Sequence, residues 1–167
     1  MKKTVIAILV RNQAGVLTRV SGLFSRRGFN IDSLTVSETE SPAFSRITVA
    51  MEEDAYVKKQ LMKQLSKLHD VREIEEMRAD EAVYRELLLI KIRVTPLARS
   101  EIMDAVNVFR AKIIDFSADA LCAEITGESG KIDAFIELMR PVGIVEMCRT
   151  GIIALERGKD CLKTIDN

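Results

Sequence analysis

The residues that could do chemistry lie early in the chain, where an apolar strand turns into an amphipathic helix. Between the two stands the run Asn12-Gln13-Ala14-Gly15. A glycine at the start of a helix leaves the first backbone N–H groups unobstructed, and no residue within the helix accepts from them. These donors lie at the positive end of the helix dipole and suit a small carboxylate. The Asn12 side chain adds a donor and an acceptor beside them. The run therefore predicts a binding site for an amino acid.

The same run also fits an ordinary strand-to-helix turn. In that interpretation the asparagine caps the helix and the glycine supplies a permissive backbone. Spacing alone does not separate the two interpretations, because short motifs of this kind match by chance. Both stay open at this level.

Catalytic motifs are scarce in the sequence. The chain has one histidine, His69, which follows the second predicted helix and fits a helix-terminal cation. A single histidine provides no zinc-binding pair, and no nucleophile elbow, Cys/His arrangement, dinucleotide fingerprint or phosphate loop is present. The acidic runs at 52–54 and 73–76 fit solvated faces and a helix start better than a metal site. The sequence thus favours a binding protein without an active site of its own.

Composition narrows the partners. The 167 residues include 25 Lys and Arg against 25 Asp and Glu, and aromatic residues make up 5% with no Trp. Balanced charge and few aromatics argue against nucleic-acid binding. No apolar stretch reaches the roughly 18 residues of a membrane span, and the apolar run after Met1 ends at Arg11 without a cleavage pattern. Three cysteines without metal spacing suit reduced thiols, so we expect a cytoplasmic protein without membrane contact.

Hydrophobic periodicity divides the chain into two halves with the same plan. The first half predicts strands at 4–11, 29–36, 46–51 and 71–77 and helices at 15–27 and 54–68. The second half predicts strands at 87–95, 113–117, 121–126 and 144–150, helices around Ile102 and Phe135, and a last apolar run at 151–155. The polar stretch 78–85 marks the boundary, which gives domains at 1–79 and 80–160.

Two successive β-α-β-β-α-β units predict an α+β protein with two tandem ferredoxin-like sandwiches. Each has an antiparallel sheet with helices on one face, so the other face and an edge strand need cover. We therefore expect a homodimer.

The sequence also resembles a known family. The runs RNQAGVLTRV (11–20) and GLFSRRGFNIDSLTV (22–36) resemble the ACT domain of the acetolactate synthase small subunit. Farther along, GKIDAF (130–135), RTG (149–151) and RG (157–158) resemble the second domain of that family. The resemblance spans essentially the whole chain in order.

This resemblance implies a non-catalytic regulatory subunit that acts in branched-chain amino-acid biosynthesis. In the family, the large subunit binds thiamine diphosphate, magnesium and FAD and condenses pyruvate with pyruvate or 2-oxobutyrate, which leads to valine and isoleucine. The small subunit carries no cofactor, raises the activity of the large subunit and confers feedback inhibition by valine. A free-standing ACT-domain sensor that acts on another enzyme or on transcription is the alternative.

The resemblance also implies which residues hold the effector. In the family two ACT domains pair side by side, and valine lies at their interface. Carried onto this chain, the strand-to-helix loop of one protomer would provide Asn12, Gln13, Ala14, Gly15, Val16, Leu17 and Thr18. The second strand of the neighbouring protomer would provide Asn30 and Ile31.

Overall fold

The chain folds into two compact units. The computed structural model describes residues 2–159, 161 and 162. The first unit combines the residues up to Val83 with the segment that begins at Ile152, and the second unit is Tyr84–Gly151. The sequence-based division at residues 79 and 80 lies close to this boundary. It assigned everything from 80 to 160 to one domain, whereas the structure places the chain after Gly151 with the first unit. The predicted domain ends at residues 1 and 160 lie outside the described residues.

The first unit contains four strands and two helices before its boundary. They are β1 (Lys2–Arg11), α1 (Val16–Arg26), β2 (Ser33–Glu38), β3 (Phe44–Glu53), α2 (Ala55–Leu65) and β4 (Val71–Met77). The strands form an antiparallel sheet in the order β2-β3-β1-β4. This is the ferredoxin-like order that the sequence predicts.

The core of the first unit lies between this sheet and its helices. Ile6 and Ile8 of β1 face α1 and α2, and the helices bring Val20, Phe24 and Leu61 against them. The alternate residues of β1 are buried as well, on the opposite face of the sheet. A strand that is buried on both faces reads as a continuous apolar run, which explains the character of residues 4–10.

The second predicted strand begins later than expected. We predicted it at 29–36, but β2 runs over Ser33–Glu38. The chain after α1 instead wraps the helix end, since the N–H groups of Arg27 and Phe29 both donate to the carbonyl of Phe24. Gly28 adopts φ 70°, a left-handed conformation that this type of helix end requires. These hydrogen bonds keep residues 27–29 out of the sheet.

The second unit repeats the order of elements. It contains most of β5 (Ala82–Arg93), followed by α3 (Arg99–Val108), β6 (Lys112–Phe116), β7 (Ala120–Gly127), α4 (Ser129–Met139) and β8 (Ile144–Arg149). Its antiparallel sheet has the order β6-β7-β5-β8. Phe135 of α4 packs edge-on against Phe109, with the ring centroids 5.3 Å apart, inside the core of this unit. The prediction of two ferredoxin-like sandwiches is confirmed.

A further strand follows the second unit. Strand β9 (Ile153–Glu156) pairs with β5, the strand in which the boundary between the units falls. We refer to residues 152–157, which contain β9 and belong to the first unit, as the return segment. Among the helices that the structure describes, none has the length and apolar character to cross a membrane.

Candidate functional site

The loop between β1 and α1 has the backbone conformation that only glycine adopts easily. Gly15 is the N-cap of α1, with φ 82° and ψ −9°. A Cβ atom at this position would lie 3.2 Å from Nη1 of Arg19, one turn along the helix. The positive φ and the close guanidinium both disfavour a side chain here. The loop therefore leaves the head of α1 open.

The first turn of α1 offers donors to an anion. The N–H of Val16 bonds to the carbonyl of Gln13 at 3.3 Å, and helix geometry leaves Leu17 and Thr18 without an intrahelical acceptor. No side chain caps the helix, and its first turn contains no acidic residue. Val16 is buried in the core, whereas Leu17 and Thr18 are exposed. A carboxylate can therefore reach the amides at the positive end of the dipole.

Asn12 forms a polar corner with the turn after β2. Its Nδ2 donates to Oε1 of Glu38 at 2.8 Å and to the carbonyl of Pro42 at 3.0 Å. Its backbone N–H donates to the carbonyl of Ala43 at 2.8 Å. Asn12 thus ties the loop to the β2–β3 turn instead of capping α1, which excludes the capping role considered in the sequence analysis. Both amide hydrogens are engaged, and Oδ1 is the acceptor that an ammonium group could use.

A fixed cation stands next to the head of the helix. Nε of Arg19 donates to Oδ2 of Asp70 at 2.8 Å, and Nη2 lies 2.6 Å from the same oxygen. Asp70 is held in turn, because its carbonyl accepts from the backbone N–H of Arg11 at 2.9 Å. The guanidinium lies beside Gly15, with Nη1 on the side of the helix terminus and with Nε and Nη2 paired with Asp70.

The roles of Glu38, Arg19 and Asp70 were not predicted from the sequence. Glu38 is 26 residues from Asn12, and Asp70 is 51 residues from Arg19. No local periodicity links residues at such separations, so no sequence signal pointed to these pairs. Sheet order and register bring them together.

A shallow depression adjoins the loop. It has a volume of about 420 Å³ and is lined by Arg11, Asn12, Gln13, Ala43, Phe44 and Arg72. The guanidinium of Arg72 lies 5.9 Å from the centre of the Phe44 ring. Gln13 and Asn12 are therefore the loop residues that face this depression. The head of α1 lies outside its lining.

The structure does not bring Asn30 and Ile31 to this loop within one chain. Strand β3 lies between β2 and β1 and relates their positions. Ser33 at the start of β2 is level with Val5 of β1, and Glu38 at the end of β2 is level with Val10 of β1. Five residues of strand, about 17 Å, separate these two ends. Asn30 precedes Ser33 and makes a local 3.4 Å hydrogen bond from Nδ2 to Oδ1 of Asp32. The two groups of predicted site residues thus lie at opposite ends of β2.

His69, Asp54 and Glu76 of the first unit have ordinary roles. His69 lies in the turn between α2 and β4, where its Nδ1 is 3.8 Å from Oδ1 of Asp70. Asp54 caps α2 by accepting from the N–H of Val57 at 2.8 Å. Glu76 pairs with Lys58 at 2.6 Å. Within the residues that the structure describes, no group of three or more His, Cys, Asp and Glu side chains is placed to hold a metal ion.

The Arg149-Thr150-Gly151 run contains more than a turn. Nε of Arg149 donates to Oε2 of the buried Glu86 at 3.0 Å, and Nη1 donates to Asp133 at 2.8 Å. Ser129 Oγ donates to the other oxygen of Glu86. Burial alone would lower the pKa of Arg149, but the hydrogen bonds to Glu86 and Asp133 outweigh it and raise that pKa. The cluster joins β5, β8 and α4 inside the second unit.

Two family models match the chain. One, described as an AHAS small subunit-like ACT domain, matches residues 6–73. The other, described as the small subunit of acetolactate synthase, matches residues 85–158. Together they account for most of both units.

Curated relatives match this chain over nearly its full length. The probable acetolactate synthase small subunit of Archaeoglobus fulgidus is 49% identical over 158 residues, covering 95% of this chain and 98% of the relative. The acetolactate synthase small subunit of Bacillus subtilis is 44% identical over 157 residues, covering 93% and 91%.

Among solved structures, the acetolactate synthase small subunit from Thermotoga maritima superposes with a TM-score of 0.88. It is 38% identical in sequence, with 96% of this chain and 100% of that chain covered. The chain therefore belongs to the acetolactate synthase small-subunit family.

Proposed function

We propose that this protein is the non-catalytic regulatory subunit of acetolactate synthase, which activates the catalytic subunit and makes it sensitive to inhibition by valine. The observation that carries the proposal is the open head of α1, where left-handed Gly15 leaves exposed amides beside the Arg19 guanidinium. We assign the thiamine diphosphate, magnesium and FAD that the reaction requires to the catalytic subunit.

The loop suits both charged groups of an amino acid. The carboxylate would accept from the first-turn amides of α1, beside Arg19. The ammonium group would donate to Oδ1 of Asn12, where the neighbouring Glu38 carboxylate favours a positive charge. Because both groups are recognised by one rigid corner of the sheet, the effector class is a free α-amino acid. Valine differs from leucine and isoleucine by one methylene group, and a pocket distinguishes such ligands by only ~1–3 kcal/mol of binding free energy.

A second protomer would complete the site. Strand β2 is an edge of the first sheet, and its Leu34 and Val36 side chains are partly exposed. An edge strand pairs readily with a copy of itself. In an antiparallel β2–β2 pair, the start of one strand lies next to the end of the other. Asn30 and Ile31 of one protomer would then approach the Asn12 corner of its partner.

Inhibition follows from a two-state equilibrium. Without effector, the small-subunit dimer stabilises the active form of the catalytic subunit. Valine that binds between two ACT domains favours a second arrangement of the dimer. The shift in the equilibrium between the two arrangements is set by the difference in the affinity of valine for them.

The test is an acetolactate assay with the cognate catalytic subunit, with and without this protein, over a valine titration. We expect activation by this protein and its reversal by valine. Turnover by this protein alone would contradict a non-catalytic role. Valine binding in calorimetry without any effect on the catalytic subunit would favour the free-standing sensor instead.

Mixed dimers test the two-protomer site. Gly15→Asp disables the loop, and Asn30→Ala removes the contribution of the neighbour, so each variant alone should lose sensitivity to valine. A mixed dimer retains one site with an intact loop and an intact Asn30. Mixing the two variants should therefore restore part of the inhibition. If mixing restores nothing, the site lies within one chain and the β2–β2 arrangement is wrong.

A further inference from the structure

Strand β6 is an open edge of the second sheet. The sheet has the order β6-β7-β5-β8, so β6 pairs with β7 on one side, and no strand in the described part of the chain pairs with its other side. All five of its residues are exposed, and three of them, Ile113, Ile114 and Phe116, are apolar. An edge strand with free N–H and C=O groups and apolar side chains is a template for pairing with another strand.

A bulge decides which side chains of β6 share a face. Lys112 pairs with Glu124 of β7 and Asp115 pairs with Cys122, while Ile114 is the extra residue between them. In a regular strand, residues three apart point to opposite faces. The extra residue instead places Lys112 and Asp115 on one face. It is the face away from the helices, since Glu124 and Cys122 alternate with the core residues of β7.

The strand is complementary to itself in one antiparallel register. When two copies of β6 cross at the midpoint between Ile113 and Ile114, Lys112 of each copy lies opposite Asp115 of the other. Opposite residues in an antiparallel pair share a face, and the bulge gives these two residues the same face. Two pairs of opposite charge then flank a centre of four isoleucine side chains. Cross-strand pairs of both kinds stabilise a sheet.

The charges for this pairing are available in the single chain. The Asp115 carboxylate forms no ion pair or hydrogen bond with any residue that the structure describes. The Lys112 ammonium lies 3.8 Å from Oε1 of Glu124, and its side chain is 80% exposed. A surface pair of this length contributes little to stability, so Lys112 can turn to a second carboxylate at small cost.

The end of the strand fits the same register. Phe116 of one copy lies opposite Ala111 of the other, on the face that carries the helices. Phe116 is 44% exposed in the single chain, and the guanidinium of Arg99 lies 4.9 Å from the centre of its ring. Ala111 packs against the core of the unit with only a methyl group. This small residue leaves room for the ring, whose burial would favour association.

We propose that β6 is a self-association surface at which the second units of two copies of this chain pair strand to strand, with Lys112 and Asp115 forming the ion pairs that set the register. Pairing continues the sheet and satisfies the free backbone groups of β6. A shift by one residue in either direction would remove both ion pairs, so the register is specified. The proposal involves neither valine nor the β2 edge of the first unit.

Hydrogen exchange on the full chain without other proteins tests this proposal. We expect the amides of β6 to be protected at high protein concentration and to lose protection on dilution. The amides of β7, which lies between two strands, should stay protected throughout. Fast exchange of β6 at every concentration would overturn the proposal. Protection of β6 that develops only when the catalytic subunit is added would also overturn it, since the edge would then bind that subunit.

Two charge variants and their mixture test the register. Lys112→Asp leaves only acids in the pairing and Asp115→Lys leaves only bases, so like charges face each other in both. Each variant alone should raise the protein concentration for half-protection of β6 by about tenfold or more. Co-expression of the two variants allows mixed pairs in which opposite charges face each other again. The mixture should therefore regain protection of β6.

Asp104→Lys on the exposed surface of α3 is the matched control, because it makes the same change of charge away from β6. It should behave like the wild type alone and should not restore protection when co-expressed with Lys112→Asp. Protection of β7 reports whether the second unit is folded in each variant. A folded Asp115→Lys variant with wild-type protection of β6 would refute the ion pairs. A mixture as weak as its components would refute the register.

Discussion

The two units share one order of elements but differ in the outer faces of their sheets. In β1 of the first unit, Ala7 and Leu9 face away from the helices and are buried, like Ile8 between them. In β5 of the second unit, Ile90 is buried against the helices, whereas Leu89 on the opposite face is 37% exposed. The first sheet is covered on both faces and the second on one. The contrast is visible in the sequence, because only the first strand is apolar at every position from Val5 to Val10.

The loops that follow these central strands differ as well. Gly15 starts α1 in a left-handed conformation, whereas Ala98 starts α3 with φ −87° and ψ −11°. In the second unit, Oγ1 of Thr95 already accepts from the N–H of Ala98 at 3.2 Å, and Pro96 has no N–H to offer. The same fold thus provides an open helix head in one unit and a closed one in the other. This difference is why we place the effector in the first unit alone.

Arg149→Ala should have the largest effect on stability, and it should destabilise the second unit but not the first. It leaves Glu86, which is 3% exposed, without its cation inside the second unit. Breaking such a pair costs about 3 kcal/mol or more. Hydrogen exchange should show lost protection in β7 and β8 and little change in β1. Arg140→Ala removes an exposed pair with Glu137 and is the control. Equal loss in both units would show that they unfold together.

Gly15→Asp should abolish the effector binding that we propose for the loop of the first unit. It forces a side chain into a left-handed conformation and adds a negative charge where the effector carboxylate would bind. We expect the valine concentration for half-inhibition to rise on the order of a hundredfold, or ~2.7 kcal/mol, with activation retained. Gly130→Asp makes the same change at the start of α4, where a Cβ meets open space. Loss of activation together with inhibition would indicate a folding defect instead.

Asn12→Ala should have a smaller effect on the same site. It removes the hydrogen bonds to Glu38 and Pro42 and the proposed acceptor for the ammonium group. Valine affinity measured by calorimetry should fall about tenfold, or ~1.4 kcal/mol. Asn107→Ala, on the exposed surface of α3, serves as the control. Unchanged affinity in Asn12→Ala would mean that backbone groups alone recognise the effector.

The smallest effect we predict concerns a helix that is not part of the site. Asp54→Ala removes the side-chain cap of α2 and should cost the first unit about 1 kcal/mol in free energy of unfolding. Glu128 holds the same position before α4 but makes no side-chain cap, so Glu128→Ala should cost less. Denaturant unfolding measures both. Valine sensitivity should be unchanged, and a change would connect α2 to the site.

Most of the fold could be predicted from the sequence, and the errors have local causes. Strand β4 lies at Val71–Met77, as predicted, because its bounds are marked by polar turns. Strand β2 was misplaced because hydrogen bonds at the end of α1 hold residues 27–29, and apolar periodicity does not report such bonds. The glycine at the head of α1 was singled out from its place between a strand and a helix, but its left-handed conformation was found only in the structure. The partners of Asn12 and Arg19 were not predicted, because they come from other parts of the sheet.

The sequence by itself determined the order of strands and helices and the glycine between the first strand and the first helix. These properties depend on the spacing of apolar residues and on one glycine, both of which are local. Only the tertiary structure decided which polar groups meet. Asn12 reaches Glu38, Glu86 holds Arg149, and Arg46 binds the return segment 108 residues later in the chain. Sheet order and strand register set these contacts, and they are properties of the whole fold rather than of any single segment.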